Sequence, residues 1–287
     1  MEMDKTNQGL ALAFGSALSF TLLNTGVRYS LDNLALSAWG ILLFRGICSL
    51  LVAVLLARHF RLKLINRGGA VFCAAGFFNF LSSICITVGI SLLPLYQVLV
   101  LLYLYPSMTV PLAYFINGQR AGRRAIFLVS LAFIGCLILL WPDDKAGLTL
   151  RPAHLIALAG ALVYALSYVL ANRADSSNNA FQPVFYYGCW AIAGNLLIIF
   201  ILGAGPGLEA GRNIPAALGL GLLAVSALFM GYAALRRIPA FKVGIIGSLE
   251  VLGGVLASWL LFDDPITLRT LSGGLIILAA ALLLRKS

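Results

Sequence analysis

Long apolar runs, separated by short polar segments, follow one another along the whole chain. Each run holds close to the number of apolar residues, about 20, that a helix needs to cross a hydrocarbon layer. Ten such runs lie at about 8–29, 35–57, 69–91, 94–117, 123–142, 153–172, 180–202, 213–235, 240–262 and 265–284. The separators carry charges or turn residues and are too short for a soluble domain. The pattern predicts an all-α integral membrane protein with ten transmembrane helices.

Composition supports this class. Of the 287 residues, 61% are hydrophobic and 10% are charged, and the mean hydropathy is +0.98. Soluble domains carry about 25% charged residues, so this chain has too few polar groups to cover a surface that faces water. The composition excludes a soluble enzyme, a disordered chain and a nucleic-acid-binding protein, although the net charge is +10. We expect membrane lipid, rather than nucleic acid, around the protein.

The basic residues are unevenly divided between the two sides of the predicted helices. Fourteen of the twenty Lys and Arg residues fall on the side of the N-terminus, five fall on the other side, and Arg45 lies within a run. Because basic loops stay in the cytoplasm, the distribution predicts cytoplasmic N- and C-termini. We expect a protein of the bacterial inner membrane.

The two halves of the chain share several identical residues at a constant offset of 145 positions. The aligned pairs are Gly15 with Gly160, Arg28 with Arg173, Pro94 with Pro239, Val98 with Val243 and Arg124 with Arg269. The offset predicts one repeat over residues 1–145 and a second over 146–287, each with five helices. Five is an odd number, so the second repeat is expected to be inverted in the membrane. Inverted repeats are frequent in secondary transporters, where the binding site lies between the halves near the midplane.

Residues 239–284 carry a motif at the end of the second repeat. An acidic residue ends one helix, a turn with proline and threonine follows, and the last helix is rich in glycine. Asp264, Thr267, Gly273 and Gly274 fill these places, while Pro106, Gly135 and Arg45 match in the first half. The chain resembles the EamA-type transporters of the drug/metabolite transporter (DMT) superfamily. The resemblance implies a secondary active transporter that exports small polar metabolites or amino-acid-like compounds by alternating access.

Two other functions stay open from the sequence. One is an importer or exchanger of a larger metabolite, such as a nucleoside derivative. The other is an intramembrane enzyme or a partner subunit that transports nothing. The sequence has no nucleophile motif, no phosphate-binding loop and no metal-ligand spacing around His59 or His154. We therefore expect no enzymatic activity, no cofactor and no metal. A monomer and a homodimer are both compatible with the sequence.

Ionisable residues deep in a membrane span are functional candidates because their burial is costly. Glu250 and Arg45 each lie about ten residues from the ends of their runs. Glu250 is a candidate to bind a proton, as the coupling ion, or a substrate amine; the two residues are alternatively a structural pair. The polar and aromatic residues expected to line a cavity for a small solute are Tyr103, Tyr105, Tyr168, Trp190 and Asn79.

The basic asymmetry makes the topology testable. A tag placed after Ser287 should react with an impermeant reagent only after the membrane is opened, because both termini are expected in the cytoplasm. The measurement is labelling in intact cells and in inverted vesicles. A tag that reacts only from the periplasmic side would refute the orientation.

Overall fold

The computed structural model describes residues 5–34, 36–65, 69–93, 95–120, 122–140, 152–173, 179–203, 213–262 and 268–284. Within these ranges the chain forms helices and no strand. The helices are α1 (Lys5–Asn33), α2 (Ala38–His59), α3 (Gly69–Leu92), α4 (Leu95–Leu102), α5 (Tyr105–Asn117), α6 (Arg123–Leu140), α7 (Pro152–Arg173), α8 (Phe181–Leu202), α9 (Ile214–Leu235), α10 (Ala240–Gly247), α11 (Leu249–Phe262) and α12 (Leu268–Leu284). Asp264 and Thr267 of the motif lie outside the described residues.

Seven apolar helical segments of the described chain are long enough to cross a membrane. They are α1, α2, α3, α7, α8, α9 and the stretch Lys242–Phe262, which runs through α10 and α11. The other three expected spans correspond to α4 with α5, to α6 and to α12, so the count of ten stays a prediction. Large apolar side chains cover the outside of the bundle; Phe115 and Phe200 are 80% and 85% exposed. An apolar surface of this extent indicates contact with lipid.

Local sequence explains several helix ends. Ser37 caps α2, where its side chain accepts a hydrogen bond from the backbone N–H of Gly40 at 3.0 Å. Gly118 ends α5 in the left-handed region, with φ of 67°, and Gly203 ends α8 in the same way, with φ of 58°. Glycine reaches this region without steric cost, so both residues stop their helices at the edge of the bundle.

Two of the expected spans are interrupted near their middle. The first breaks between α4 and α5, where Pro106 cannot donate a hydrogen bond to the carbonyl of Leu102. The second breaks at Ser248 between α10 and α11, where the serine hydroxyl donates to the carbonyl of Ile245. A serine that bonds to its own backbone competes with the helical ladder. At each break the backbone keeps right-handed dihedral angles but bonds to carbonyls three residues earlier, so the helix is locally tightened in the interior.

The two interrupted spans cross close to their breaks. A methyl group on Gly244 would lie 2.9 Å from Cβ of Pro106, and one on Gly247 would lie 2.5 Å from the Tyr105 hydroxyl. Both distances are shorter than a van der Waals contact, so α10 approaches α5 as closely as backbone packing allows. Around this crossing, α1 packs on α9, α3 on α7, α2 on α8 and α9, and α6 on α12.

The close approach at Gly244 generates a stability prediction. Gly244→Ala should lower the free energy of unfolding by about 1–3 kcal/mol, because the proline ring cannot move out of the way. Gly219→Ala in α9 is the matched control, since no atom lies within 4 Å of the added methyl group, and alanine favours the helix. The measurement is thermal unfolding in detergent. Equal midpoints for the two variants would show that the crossing is not tightly packed.

Candidate functional site

Glu250 lies in the first turn of α11, immediately after the second break, and is 2% exposed. Its carboxylate accepts hydrogen bonds from two other parts of the chain. Asn24 of α1 donates from Nδ2 to Oε1 at 2.6 Å, and the hydroxyl of Tyr103 donates to Oε2. The carboxylate therefore joins α1, the first break and the second break.

The surroundings of Glu250 offset part of the cost of its burial. A carboxylate moved into an apolar interior loses its hydration, and hydrogen bonds must replace it. Asn24 and Tyr103 supply one donor to each oxygen. The start of a helix also carries partial positive charge from its free N–H groups, and α11 presents this end to the carboxylate. These donors are neutral, so a proton or a cationic group is still able to change the charge of the site.

Five buried tyrosines continue from Glu250 into the centre of the bundle. The centroid of the Tyr105 ring lies 5.5 Å from that of Tyr103, 4.8 Å from that of Tyr164 and 5.5 Å from that of Tyr168. The hydroxyl of Tyr164 donates to that of Tyr168 at 2.8 Å, and the ring of Tyr168 lies 6.2 Å from that of Tyr232. These contacts join the five tyrosines into one group, which we call the tyrosine cluster. Its members come from the first break, α5, α7 and α9.

Polar residues of α3 and α7 hold the far end of the tyrosine cluster. Asn79 donates from Nδ2 to the Tyr232 hydroxyl at 3.0 Å, and the hydroxyls of Ser167 and Tyr232 lie 3.1 Å apart. Ser167 also donates to the carbonyl of Ala75 at 2.8 Å. A polar tract of hydrogen bonds and ring contacts therefore runs from Glu250 to α3 through a bundle whose outer surface is apolar.

Comparisons with known proteins show which proteins this chain is similar to. The model of the EamA-like transporter family matches residues 151–286, which include Tyr164, Tyr168, Tyr232 and Glu250. The second half of this chain is similar to the EamA-like transporter family. The resemblance to EamA-type transporters is confirmed, and with the apolar helices it makes this EamA-like chain an integral membrane protein.

A curated relative and a solved structure extend the likeness over the first half. An uncharacterized transporter of Archaeoglobus fulgidus is 25% identical over 226 residues, which cover 78% of this chain and 79% of the relative. A solved crystal structure superposes with a TM-score of 0.75 at 17% identity and covers 98% of both chains; this likeness concerns the fold alone. The family and the relative both point to a transporter, which takes a small-molecule substrate and lies in lipid.

The structure brings five of the seven expected site residues into the polar tract of this EamA-like protein. They are Glu250, Tyr103, Tyr105, Tyr168 and Asn79. Trp190 lies on the outer surface at 37% exposure, where its indole N–H donates to the carbonyl of Cys73 at 3.2 Å. An indole suits this position because its ring packs on apolar neighbours while its N–H finds a partner.

Arg45 is buried in α2 but does not pair with Glu250, the alternative that the sequence left open. Among the described residues, no nitrogen of Arg45 lies within 4.0 Å of a carboxylate oxygen of Glu250. The ion pair found there joins Arg28 and Asp32 at 2.7 Å. Arg45 instead donates from Nη2 to the hydroxyl of Ser83 at 3.4 Å. Within the described ranges, no group of three or more His, Cys, Asp and Glu side chains is placed to hold a metal ion.

The sequence does not indicate two members of the site, Asn24 and Tyr232. Tyr164 lies four residues before Tyr168 and shares its helix face, so the sequence does place it beside Tyr168. Asn24 and Tyr232 are single polar residues in apolar runs, a pattern that equally fits helix packing. Their roles follow from the contacts of α1 with α11 and of α3 and α7 with α9, which the sequence does not show.

The contact between Asn24 and Glu250 can be tested by a double-mutant cycle. Asn24→Ala should destabilise the protein by about 1–3 kcal/mol, because one oxygen of a buried carboxylate loses its donor. In a Glu250→Gln background the same change should cost less, with a coupling energy of at least about 0.5 kcal/mol. Ser82→Ala is the matched control, since its hydroxyl bonds to the Gly160 carbonyl. Thermal unfolding of the singles and doubles is the measurement, and additive effects of Asn24→Ala and Glu250→Gln would contradict the contact.

Proposed function

We propose that this protein is a secondary active transporter of the inner membrane that exports small polar metabolites or amino-acid-like compounds by alternating access. The observation that carries the proposal is the place of Glu250: one buried carboxylate where two interrupted helices cross, bonded to α1 and to the first break. Interrupted helices that meet at a polar site are a recurring design for solute binding within membranes.

Two inverted repeats, residues 1–145 and 146–287, are part of the proposal. The helix contacts support them, because the most extensive contacts have counterparts when the halves are exchanged: α3 on α7 matches α9 on α1, and α2 on α9 matches α8 on α3. The breaks support them as well. Tyr103 at the first break and Ser248 at the second are separated by the same 145 residues that align the identical residues of the two halves.

Contacts at both ends of the bundle support alternating access. At one end, Gln119 donates to Asn172 at 2.7 Å, and Asn172 donates to the carbonyl of Leu235 at 2.6 Å, which ties the ends of α7 and α9 to the residues after α5. At the other end, Asn213 donates to the carbonyl of Leu34 at 2.8 Å. Glu250 and the tyrosine cluster are buried between these closures, so a solute reaches them only when one end opens.

Glu250 is proposed to couple transport to protons. An ionised and unpaired carboxylate at the midplane costs several kcal/mol. In this conformation Asn24 and Tyr103 occupy its two oxygens. When helices move apart to admit solute, these bonds are weakened, and a proton or a cationic solute group then neutralises the carboxylate. The cycle is expected to alternate between these partners.

The proposal predicts the behaviour of Glu250→Gln. The variant keeps the shape and the hydrogen-bonding capacity of the side chain but removes its titration, so it should fold, bind solute and lose the pH dependence of flux. The control is Asp32→Asn, which removes the other carboxylate of the described residues, one that pairs with Arg28 by the end of α1. The measurement is counterflow of radiolabelled solute in proteoliposomes across the neutral pH range.

The solute for this assay comes from a thermal-shift screen of small polar metabolites on the purified protein, since ligands of the folded state raise its apparent stability. Wild-type flux with an unchanged pH profile in Glu250→Gln would make Glu250 structural. Faster entry than exit in right-side-out vesicles would favour an importer. A solute that binds but is never moved would favour a protein that does not transport.

A further inference from the structure

A second group of buried polar side chains lies in the seam between α2, α3 and α8, apart from the tyrosine cluster. All of its members are at most 4% exposed. They are Arg45 and Ser49 of α2, Ser83 and Thr87 of α3, and Asn195 of α8. We refer to these five residues as the Arg45 centre. Arg45 is the one basic side chain that is buried among the described residues.

The packing of three helices brings these residues to one region. The Arg45 guanidinium donates to the Ser83 hydroxyl at 3.4 Å, which joins α2 to α3. A methyl group on Gly46 would lie 2.8 Å from the Ala191 side chain, so α2 lies directly against α8 at this level. Thr87 and Asn195 lie four residues beyond Ser83 and Ala191 on α3 and α8, which run in the same direction, so both lie one turn to the same side of the Arg45 level. Ser49 lies four residues beyond Arg45 on α2, which runs in the opposite direction, so it lies one turn to the other side.

Four atoms of the Arg45 centre have no hydrogen-bond partner in the protein. They are Nε of Arg45, Oγ of Ser49, Oγ1 of Thr87 and Oδ1 of Asn195. Buried polar atoms of folded proteins nearly always have a partner, and an unmet donor or acceptor is costly. The atoms of Arg45, Thr87 and Asn195 indicate a place where a polar ligand supplies the missing bonds.

The charge of Arg45 also lacks a counterion within the described ranges, which contain two carboxylates. Asp32 pairs with Arg28 at 2.7 Å, and Glu250 accepts from Asn24 and Tyr103. A buried charge without an opposite charge is strongly unfavourable. The missing partner of this guanidinium is therefore an anion.

We propose that the Arg45 centre binds the carboxylate group of the transported solute, which makes the substrates small organic monocarboxylates. A guanidinium presents N–H groups in a planar fork that matches a carboxylate, and its Nε–H is unused. The hydroxyls of Ser83 and Thr87 are neutral donors on the α3 side of it. One arginine balances one negative charge, whereas a phosphate monoester carries about −1.5 to −2 at neutral pH. Asn195 Oδ1 can accept from a hydroxyl or amino group of the solute.

The Arg45 centre is linked to the tyrosine cluster through α3. This link fits a site in which the Arg45 centre binds one part of a solute and the tyrosine cluster contacts another part. Ser83 and Asn79 lie one turn apart on α3; Ser83 contacts Arg45 and Asn79 contacts Tyr232. Binding at the Arg45 centre and proton exchange at Glu250 are then separate events in one tract. This inference rests on the proposed transport function only in calling the ligand a transported solute.

The test is equilibrium binding to the full-length purified protein, which needs no transport. Acetate, propionate, lactate and pyruvate are titrated at constant ionic strength, and the unfolding midpoint is recorded. Propionamide is the neutral comparison, and inorganic phosphate in alkaline buffer, where it is mostly HPO4²⁻, is the dianionic one. We expect saturable stabilisation by at least one carboxylate and none by the amide or by phosphate. Stabilisation by phosphate equal to that by the carboxylates, or by none of the compounds, would overturn the proposal.

Variants separate binding from a structural role of the arginine. Arg45→Gln should abolish stabilisation by carboxylate, yet it should unfold no earlier than the wild type in chloride alone, because a buried and unpaired charge is removed. Thr87→Val, of similar volume, keeps the test available if Arg45→Gln does not fold, and it should weaken carboxylate binding by about tenfold. Ser82→Ala is the control and should leave carboxylate binding unchanged. Unaltered carboxylate binding in Thr87→Val and Arg45→Gln would exclude the site.

The same series distinguishes this inference from the proposed function. Asp32→Asn, whose carboxylate pairs with Arg28 outside the polar tract, should bind carboxylate as the wild type does. Carboxylate binding without flux would leave the Arg45 centre standing and remove the transport proposal. Flux of a neutral solute together with no binding of any carboxylate would support the transport proposal and remove the proposal for the Arg45 centre.

Discussion

A carboxylate placed in the apolar interior of a bundle sets the strongest requirement on this structure. Glu250 needs donors for both oxygens, and each comes from a different part of the chain: Asn24 in α1 and Tyr103 at the first break. Tyr103 reaches it because the glycines of α10 allow the two interrupted helices to cross closely, and Asn24 reaches it because Gly253 lets α11 approach α1. The breaks, the glycines and the buried carboxyl group therefore form one contact region.

From this point the polar groups of the interior continue as a tract. Five tyrosines lead from Glu250 to Asn79 and Ser167, and α3 carries the tract on to Ser83 and Arg45. Tyrosine suits such a path because its ring packs like an apolar group while its hydroxyl keeps a hydrogen bond. The interior thus holds an acidic and a basic side chain that are not paired with each other. This separation is what the proposed roles of Glu250 and Arg45 rest on.

Much of the fold follows from local sequence, and less of the site does. Apolar run lengths predict the seven long spans, and Pro106 predicts a break after Leu102 because its missing N–H is a local property. The depth of Glu250 in its run marks it as unusual. Its partner Asn24 lies 226 residues away, and no local pattern distinguishes it from an amide that joins two helices. The surface position of Trp190 and the separation of Arg45 from Glu250 likewise depend on how helices rotate against their neighbours.

The central claim is that Glu250 changes its proton and its hydrogen-bond partners between conformations. Infrared difference spectroscopy of the purified protein, recorded between acidic and alkaline buffer, tests this most directly because a protonated carboxyl has its own C=O stretch. The account predicts one band from a buried carboxyl that titrates, disappears in Glu250→Gln and shifts in Tyr103→Phe, which removes one bond to it. A difference spectrum in which no carboxyl band depends on Glu250, at any pH at which the protein stays folded, would contradict the account.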